Sequence, residues 1–382
     1  MIVSFGDPFY FYLLAVLAIP AVCLGLAGRR IKWYGMIATT IVVLTLVAGS
    51  RKEALLLGAF LAGQTLLIEV HLWFVSKHGR ESSWERRSTV LLALLPLVVV
   101  KLSGVVHFPS LAFIGISYFT FRAVQVVLEI SDGLIKRVGI LDLLYFLAFF
   151  PTISAGPIDR SRRFLQDADT PLGAGSYSRL LGRGIWLLLL GATYKFALGS
   201  WVGGLLAQTG GGILGMLAYM YAYGFYLFFD FAGYSAMAVG TAYIFGIRTP
   251  MNFRMPFVSG SIKDFWNRWH ITLSFWLRDF LYTRLLMGML KRRTFASGAT
   301  ASHVAIVANM LAMGLWHGET IYYITYGLYH GLLLVANDVY ERRFTGFRRY
   351  RDRTWYRVGS IIVTFNLVMF GFLIFSGHLL KG

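Results

Sequence analysis

Long apolar runs separated by short polar loops set the rhythm of the chain. The clearest extend over Phe9 to Ala27, Trp33 to Ala48, Ala54 to Val75, Thr89 to Val106, Leu180 to Leu198 and Val358 to Gly377. A helix needs roughly 20 apolar residues to cross a hydrocarbon layer, and these blocks approach or reach that length. They are continuous rather than alternating, which excludes a β-barrel and leaves helices, the form that satisfies every backbone group in lipid. With the less uniform blocks between them, the pattern predicts about 10 to 12 spans. The first 110 residues read as scaffold spans. From Phe113 the texture changes, as Arg122, Glu129, Asp132, Pro151, Gly156 and Pro157 interrupt apolar stretches. Such interruptions are tolerated where the backbone is buried in protein or lines a cavity. The stretch Gly210 to Gly246 carries Asp230 and is long enough for about one and a half spans, so a break is expected near Asp230 to Gly233. Ala174 to Ser178 reads as a Gly- and Ser-bearing loop.

Residues 252–293 form a different kind of segment. After Lys263 the period is helical, with an apolar stripe of Trp266, Trp269, Leu273, Trp276 and Phe280. A second, polar stripe of Asn267, His270, Ser274 and Arg278 is expected on the same helix. A helix so marked lies at the membrane interface or dips into a protein-lined cavity. The whole reads as one polytopic membrane domain over 1–382: scaffold spans to residue 110, a core over 111–335, and a basic loop with the last span over 336–382.

Composition sharpens this picture. Of 382 residues 57% are hydrophobic and 14% charged, against about 25% charged in soluble domains; mean hydropathy is +0.63. The formal charge of +18 sits in loops, at Arg29 to Lys32, Arg51 and Lys52, Arg80 to Arg87, Arg160 to Arg163, Lys291 to Arg293 and Arg342 to Arg357. Clusters of this kind mark cytoplasmic loops and place both the N-terminus and Gly382 outside. No nucleic-acid reading motif accompanies them, so nucleic acid is not an expected partner. Met1 to Pro8 has no basic region ahead of the first block, which is therefore expected to stay as an anchor. The single cysteine, Cys23, has no partner for an internal disulfide.

Of eight histidines, His317 has the most unusual setting, at the end of an apolar run and beside Gly318. An ionisable group at membrane depth is costly unless it faces the bundle interior, which makes His317 a functional candidate; burial favours the neutral imidazole, which can accept a proton. A shared metal ion is not expected. His303 and His317 would be roughly 21 Å apart along one helix, and His317 and His330 would point to opposite sides of a continuous one. No Gly-x-Ser-x-Gly motif is present, so serine hydrolysis is not indicated. A proton-coupled transporter with Asp230, His270 and His317 as relay remains a second class, although no internal repeat supports it.

The motifs SIKDFWNRWHITLSFWLRDFLYTR and NMLAMGLWHG, together with FDFAGYSAMAVG, resemble the membrane-bound O-acyltransferase family. The resemblance implies an all-α integral membrane protein whose helices, with short amphipathic or re-entrant ones, surround a central tunnel. It implies a catalytic histidine at His317, in Trp316-His317-Gly318, and a second at His270; Asn267, Ser274, Trp316 and Asp230 become candidate substrate-binding residues. The stretch FFPTISAGPIDRSRRF resembles the branch that D-alanylates teichoic acids. That branch implies no permanently bound cofactor and a donor carried as a phosphopantetheine thioester by a small acidic protein at the cytoplasmic face. The expected acceptor is a hydroxyl of teichoic acid or of a membrane-anchored relay protein, and the expected location is the bacterial plasma membrane. O-acetylation of an exported polysaccharide is the alternative within the family.

Overall fold

The computed structural model describes residues 5–79, 82–106, 112–113, 115–350 and 352–379. Arg80 and Arg351, in two of the basic loops, and both chain ends, Met1 and Gly382, lie outside them. The Cα trace gathers into two compact units. The first comprises the chain up to Ala192 with Tyr234–Pro250; the second comprises Thr193–Gly233 and the chain from Met251 onward.

In the first unit the apolar blocks become helices α1 (Pro8–Leu26), α2 (Lys32–Val47), α3 (Arg51–His78), α4 (Ser83–Val106), α5 (Ile116–Ser131), α6 (Ile140–Ala148), α7 (Ser161–Asp169) and α8 (Ala174–Ala192). The supposed loop Ala174 to Ser178 is the first turns of α8. Helix α5 is the core, buried from Tyr118 to Ile130, with α3 and α4 packed on it. Its charges explain the change of texture after Phe113. Arg122 donates to the carbonyls of Phe146 (3.0 Å), Leu147 (2.8 Å) and Thr152 (2.9 Å), and Glu129 accepts from the Ser161 hydroxyl. These charges hold the irregular stretch 149–160, where helical backbone bonds are missing. Asp159 pairs with Arg163 and takes the Arg160 backbone N–H at 2.6 Å. Burial raises the Asp159 carboxyl above its ordinary range, against the opposing pull of Arg163. Lys32 bridges Asp142 (2.6 Å) and Asp169 (2.7 Å).

The second unit begins with a π-helical turn, Thr193–Gly199, that continues α8 into α9 (Ser200–Leu206). Helix α10 (Gly212–Ile244) runs on through both units. The break expected near Asp230 to Gly233 does not occur. No proline interrupts the 33 residues, and the charge that suggested a break is neutralised sideways, because Lys195 donates to Asp230.

The segment 252–293 is not one helix. It forms α11 (Ile262–Trp266), a turn, α12 (Ile271–Leu277), a π-helical turn Arg278–Tyr282, and α13 (Thr283–Lys291). The two stripes therefore do not share a single helix, although Trp266, Trp269, Leu273 and Trp276 are buried as the apolar stripe requires. Helices α14 (Gly298–His317) and α15 (Ile321–Arg343) form a tight hairpin, and α16 (Thr354–Phe375) packs on α15. Because α15 continues to Arg343, the basic loop begins at Phe344 rather than at 336. The continuous helix assumed for His317 and His330 is interrupted at Gly318–Thr320.

Among the described residues, six helices are long and apolar enough to cross a membrane: Pro8–Leu26, Arg51–His78, Ala174–Leu206, Gly212–Ile244, Gly298–His317 and Thr354–Phe375. This is fewer than the ten to twelve expected from the blocks. Two further apolar helices, Lys32–Val47 and Ile140–Thr152, are shorter, and the segment after Met251 is cut into pieces of 5, 7 and 9 residues.

Candidate active site

His270 owes its place to a backbone turn. Helix α11 opens with Ser261, whose hydroxyl accepts from Asp264 N at 3.1 Å, and closes within two turns. The chain then bends so that His270 takes a left-handed conformation, φ 43°, ψ 50°, uncommon for a residue with a Cβ. The first N–H groups of α12 need partners, and the His270 side chain supplies none. Asn252 supplies them from another segment. Its carbonyl accepts from Ile271 N (2.9 Å), and its side-chain oxygen accepts from Thr272 N (3.3 Å) and the Thr272 hydroxyl (2.6 Å).

The turn carries the His270 imidazole into a buried aromatic setting, edge-on to Phe231 with ring centroids 4.7 Å apart. Among the described residues Nε2 of His270 has no hydrogen-bond partner, which leaves that nitrogen for a reacting group.

His317 is the last residue of α14 and half-buried. Phe375 stands edge-on to it at 4.9 Å, Tyr323 is stacked at 6.0 Å and Tyr326 lies 6.4 Å away. The Trp316 indole connects the two histidines, 4.5 Å from the His317 ring and 6.0 Å from that of His270. The structure thus brings His270, Trp316 and His317 together.

The other candidates are placed differently. Asn267 is exposed at the end of α11. The Ser274 hydroxyl donates to the carbonyl of Trp269 at 3.2 Å, inside its own turn. Asp230 is paired with Lys195, one residue before Phe231 and on a different face of α10. Asn252, Phe231 and Phe375 were not foreseen. Phe231 stands inside the motif FDFAGYSAMAVG, and Asn252 left a trace as a lone amide ahead of an aromatic and proline-bearing turn, NFRMPF.

Two histidines from separate elements, one buried and one half-buried, brought to one indole among aromatic side chains, suit proton transfer. The membrane-bound O-acyltransferase family matches residues 69–379. The chain belongs to that family. It is therefore a multi-pass membrane acyltransferase. Among its relatives, teichoic acid D-alanyltransferase of Bacillus subtilis (strain 168) is 39% identical, covering 96% of this chain and 96% of the relative. Teichoic acid D-alanyltransferase of Streptococcus thermophilus is 38% identical, covering 98% and 95%. A probable alginate O-acetylase of Pseudomonas syringae pv. tomato is 31% identical but covers 69% of this chain and 49% of that protein. Within the acyltransferase family the similarity to D-alanyltransferases thus extends over nearly the full length of both proteins.

Proposed function

We propose that this acyltransferase moves a D-alanyl group from a carrier-protein thioester to a hydroxyl acceptor for teichoic-acid D-alanylation. The observation that carries this reading is the near-complete coverage of D-alanyltransferases on both sides of the comparison, 96% and 96%, where the alginate relative is matched over 49% of its length.

In this reading His317 is the general base. Its neutral imidazole takes the proton of the acceptor hydroxyl as that oxygen attacks the thioester carbonyl, a role worth about 10² to 10⁴ in rate. A C–O bond forms, the C–S bond breaks, and the proton held on His317 passes to the departing thiolate, so the imidazole ends neutral. His270 orients the thioester or the acceptor through its unengaged Nε2. Trp316 and the rings of Tyr323, Tyr326 and Phe375 line the site and exclude the water that would hydrolyse the thioester. Asn267, Ser274 and Asp230 remain proposed substrate contacts, with Ser274 and Asp230 already engaged by protein groups. The donor is a phosphopantetheine thioester on a small acidic carrier at the cytoplasmic face, drawn to basic loops such as Lys291 to Arg293; complementary charge raises association rate. The acceptor is a teichoic-acid hydroxyl or that of a membrane-anchored relay protein.

The test is reconstitution of the purified chain in vesicles with a D-alanyl-loaded carrier and, in parallel, an acetyl-loaded one, following thioester loss with an acceptor present. D-alanyl turnover that requires His317 supports the proposal. Acetyl turnover without D-alanyl turnover would overturn it in favour of polysaccharide O-acetylation.

A further inference from the structure

Away from the histidines, the first unit holds a pocket of about 120 Å³ between α5, the turn that follows it and the start of α7. Val126, Leu143 and Leu165 are among its apolar walls, and Lys136, Arg137 and Arg162 line it as well. No carboxylate does so. The three cations are exposed, and among the described residues none of them is in an ion pair. The contrast with the next residue is direct. Arg163 is paired with Asp159 and with Asp167, whereas Arg162 is turned to the pocket. Glu129 of α5, whose carboxylate feels the charge of Arg162, is buried and already accepts from Ser161. Beside the cations the chain also exposes large apolar side chains, Leu134 at 48%, Ile140 at 55% and Leu141 at 58%.

We propose that this pocket binds the headgroup phosphate of an anionic phospholipid of the cytoplasmic leaflet, with Leu134, Ile140 and Leu141 against its acyl chains. Three convergent cations without carboxylates select an anion, and each Lys or Arg near such a surface strengthens anionic-lipid binding several-fold. The exposed apolar flank selects an anion that carries a hydrocarbon body, because a free ion would leave that flank against water. A pocket of this volume admits a phosphate and the atoms next to it, but not the convex acidic face of a folded protein. Basic loops on this side are cytoplasmic by the positive-inside rule. The bound lipid would tie the turn after α5 to the start of α7, where Ser161, the donor to Glu129, also lines the pocket.

The experiment titrates the full-length protein in detergent micelles with dioleoyl phosphatidylglycerol, with dioleoyl phosphatidylcholine and with inorganic phosphate. Thermal unfolding and retention of lipid in native mass spectrometry are the readouts. The expected result is stabilisation and retention with phosphatidylglycerol alone. Apparent affinity should weaken on the order of 100-fold in the Lys136→Gln, Arg137→Gln, Arg162→Gln triple variant. A control triple variant of exposed cations outside the pocket, Arg51→Gln, Arg87→Gln, Arg179→Gln, should keep most of the effect. Equal action of phosphatidylcholine would overturn the proposal, as would an undiminished effect in the pocket variant or an equal loss in the control. The same shift with inorganic phosphate would reduce the site to a simple anion site. Loss of acidic-carrier binding with lipid binding intact would assign the cations to the carrier instead.

Discussion

A Cβ placed on Gly314 would stand 2.4 Å from the carbonyl oxygen of Tyr323. Helices α14 and α15 therefore approach backbone to backbone one turn before His317, as small residues allow in membrane bundles. The same approach holds Tyr323 over the His317 ring. Gly314→Leu should separate the hairpin, cost about 1 to 3 kcal/mol of stability by overpacking and lower acyl transfer by displacing His317. Gly359→Ala in α16, where an added Cβ meets nothing within 4 Å, should be neutral or slightly stabilising. Thermal unfolding and transfer assays on the two variants measure the difference; equal tolerance at both positions would deny that the hairpin sets the site.

His317→Ala should remove acyl transfer, by at least the 10² to 10⁴ of a general base, while the protein remains folded and inserted. The side chain is half-buried and ends its helix, so truncation leaves helix packing largely intact. Wild-type-like turnover in this variant would refute the role given to His317.

The turn at His270 separates conformation from chemistry. Asn tolerates left-handed backbone through its short polar side chain, whereas a β-branched residue does not. His270→Asn should therefore fold like the parent, and His270→Val should lose about 1 to 3 kcal/mol. Both should be impaired in transfer because both lack the imidazole. A His270→Val protein as stable as His270→Asn would show that the turn is not strained.

Asn252 acts on the same turn from a distance. Asn252→Ala and Thr272→Val each remove the contact at 2.6 Å, and each should lower turnover about 10-fold, the equivalent of one buried hydrogen bond. Combined, they should cost little more than either alone, since contacting residues are not additive. Additive losses in the double variant would mean that the two residues do not work through one bond.

Much of this was legible because local rules decide it. The apolar blocks became helices with ends within a few residues of those expected, as at α1 and α2, and the motifs around His270 and His317 marked two groups that both lie beside one indole. What could not be read was decided by partners distant in the chain. The helical period runs unbroken through His270, yet the helix stops there because Asn252, 20 residues from Thr272, caps α12. Asp230 looked like a place for α10 to break because Lys195, 35 residues away, was not visible as its partner. Likewise Arg122 and Glu129 looked like signs of chemistry, and their bonds to Thr152 and Ser161 make them supports of an irregular backbone.

The Lys195–Asp230 pair allows a structural role of Asp230 to be told from a role in substrate binding. Lys195 and Asp230 are 21% and 42% exposed and lie on helices long and apolar enough to span. Removing one partner leaves a lone charge beside apolar neighbours, which is more costly than removing both; the partial exposure reduces the magnitude to about 1 to 2 kcal/mol. Lys195→Met and Asp230→Leu should each destabilise, and the double variant should recover most of the loss, giving a coupling of similar size in a double-mutant cycle. Acyl transfer decides the rest. If Asp230 only neutralises Lys195, turnover should return with stability in the double variant. If Asp230 also contacts the D-alanyl ammonium, the double variant should be stable yet retain a raised KM for the D-alanyl carrier, with an acetyl carrier unaffected. A double variant no more stable than either single would show that the pair contributes nothing to the fold.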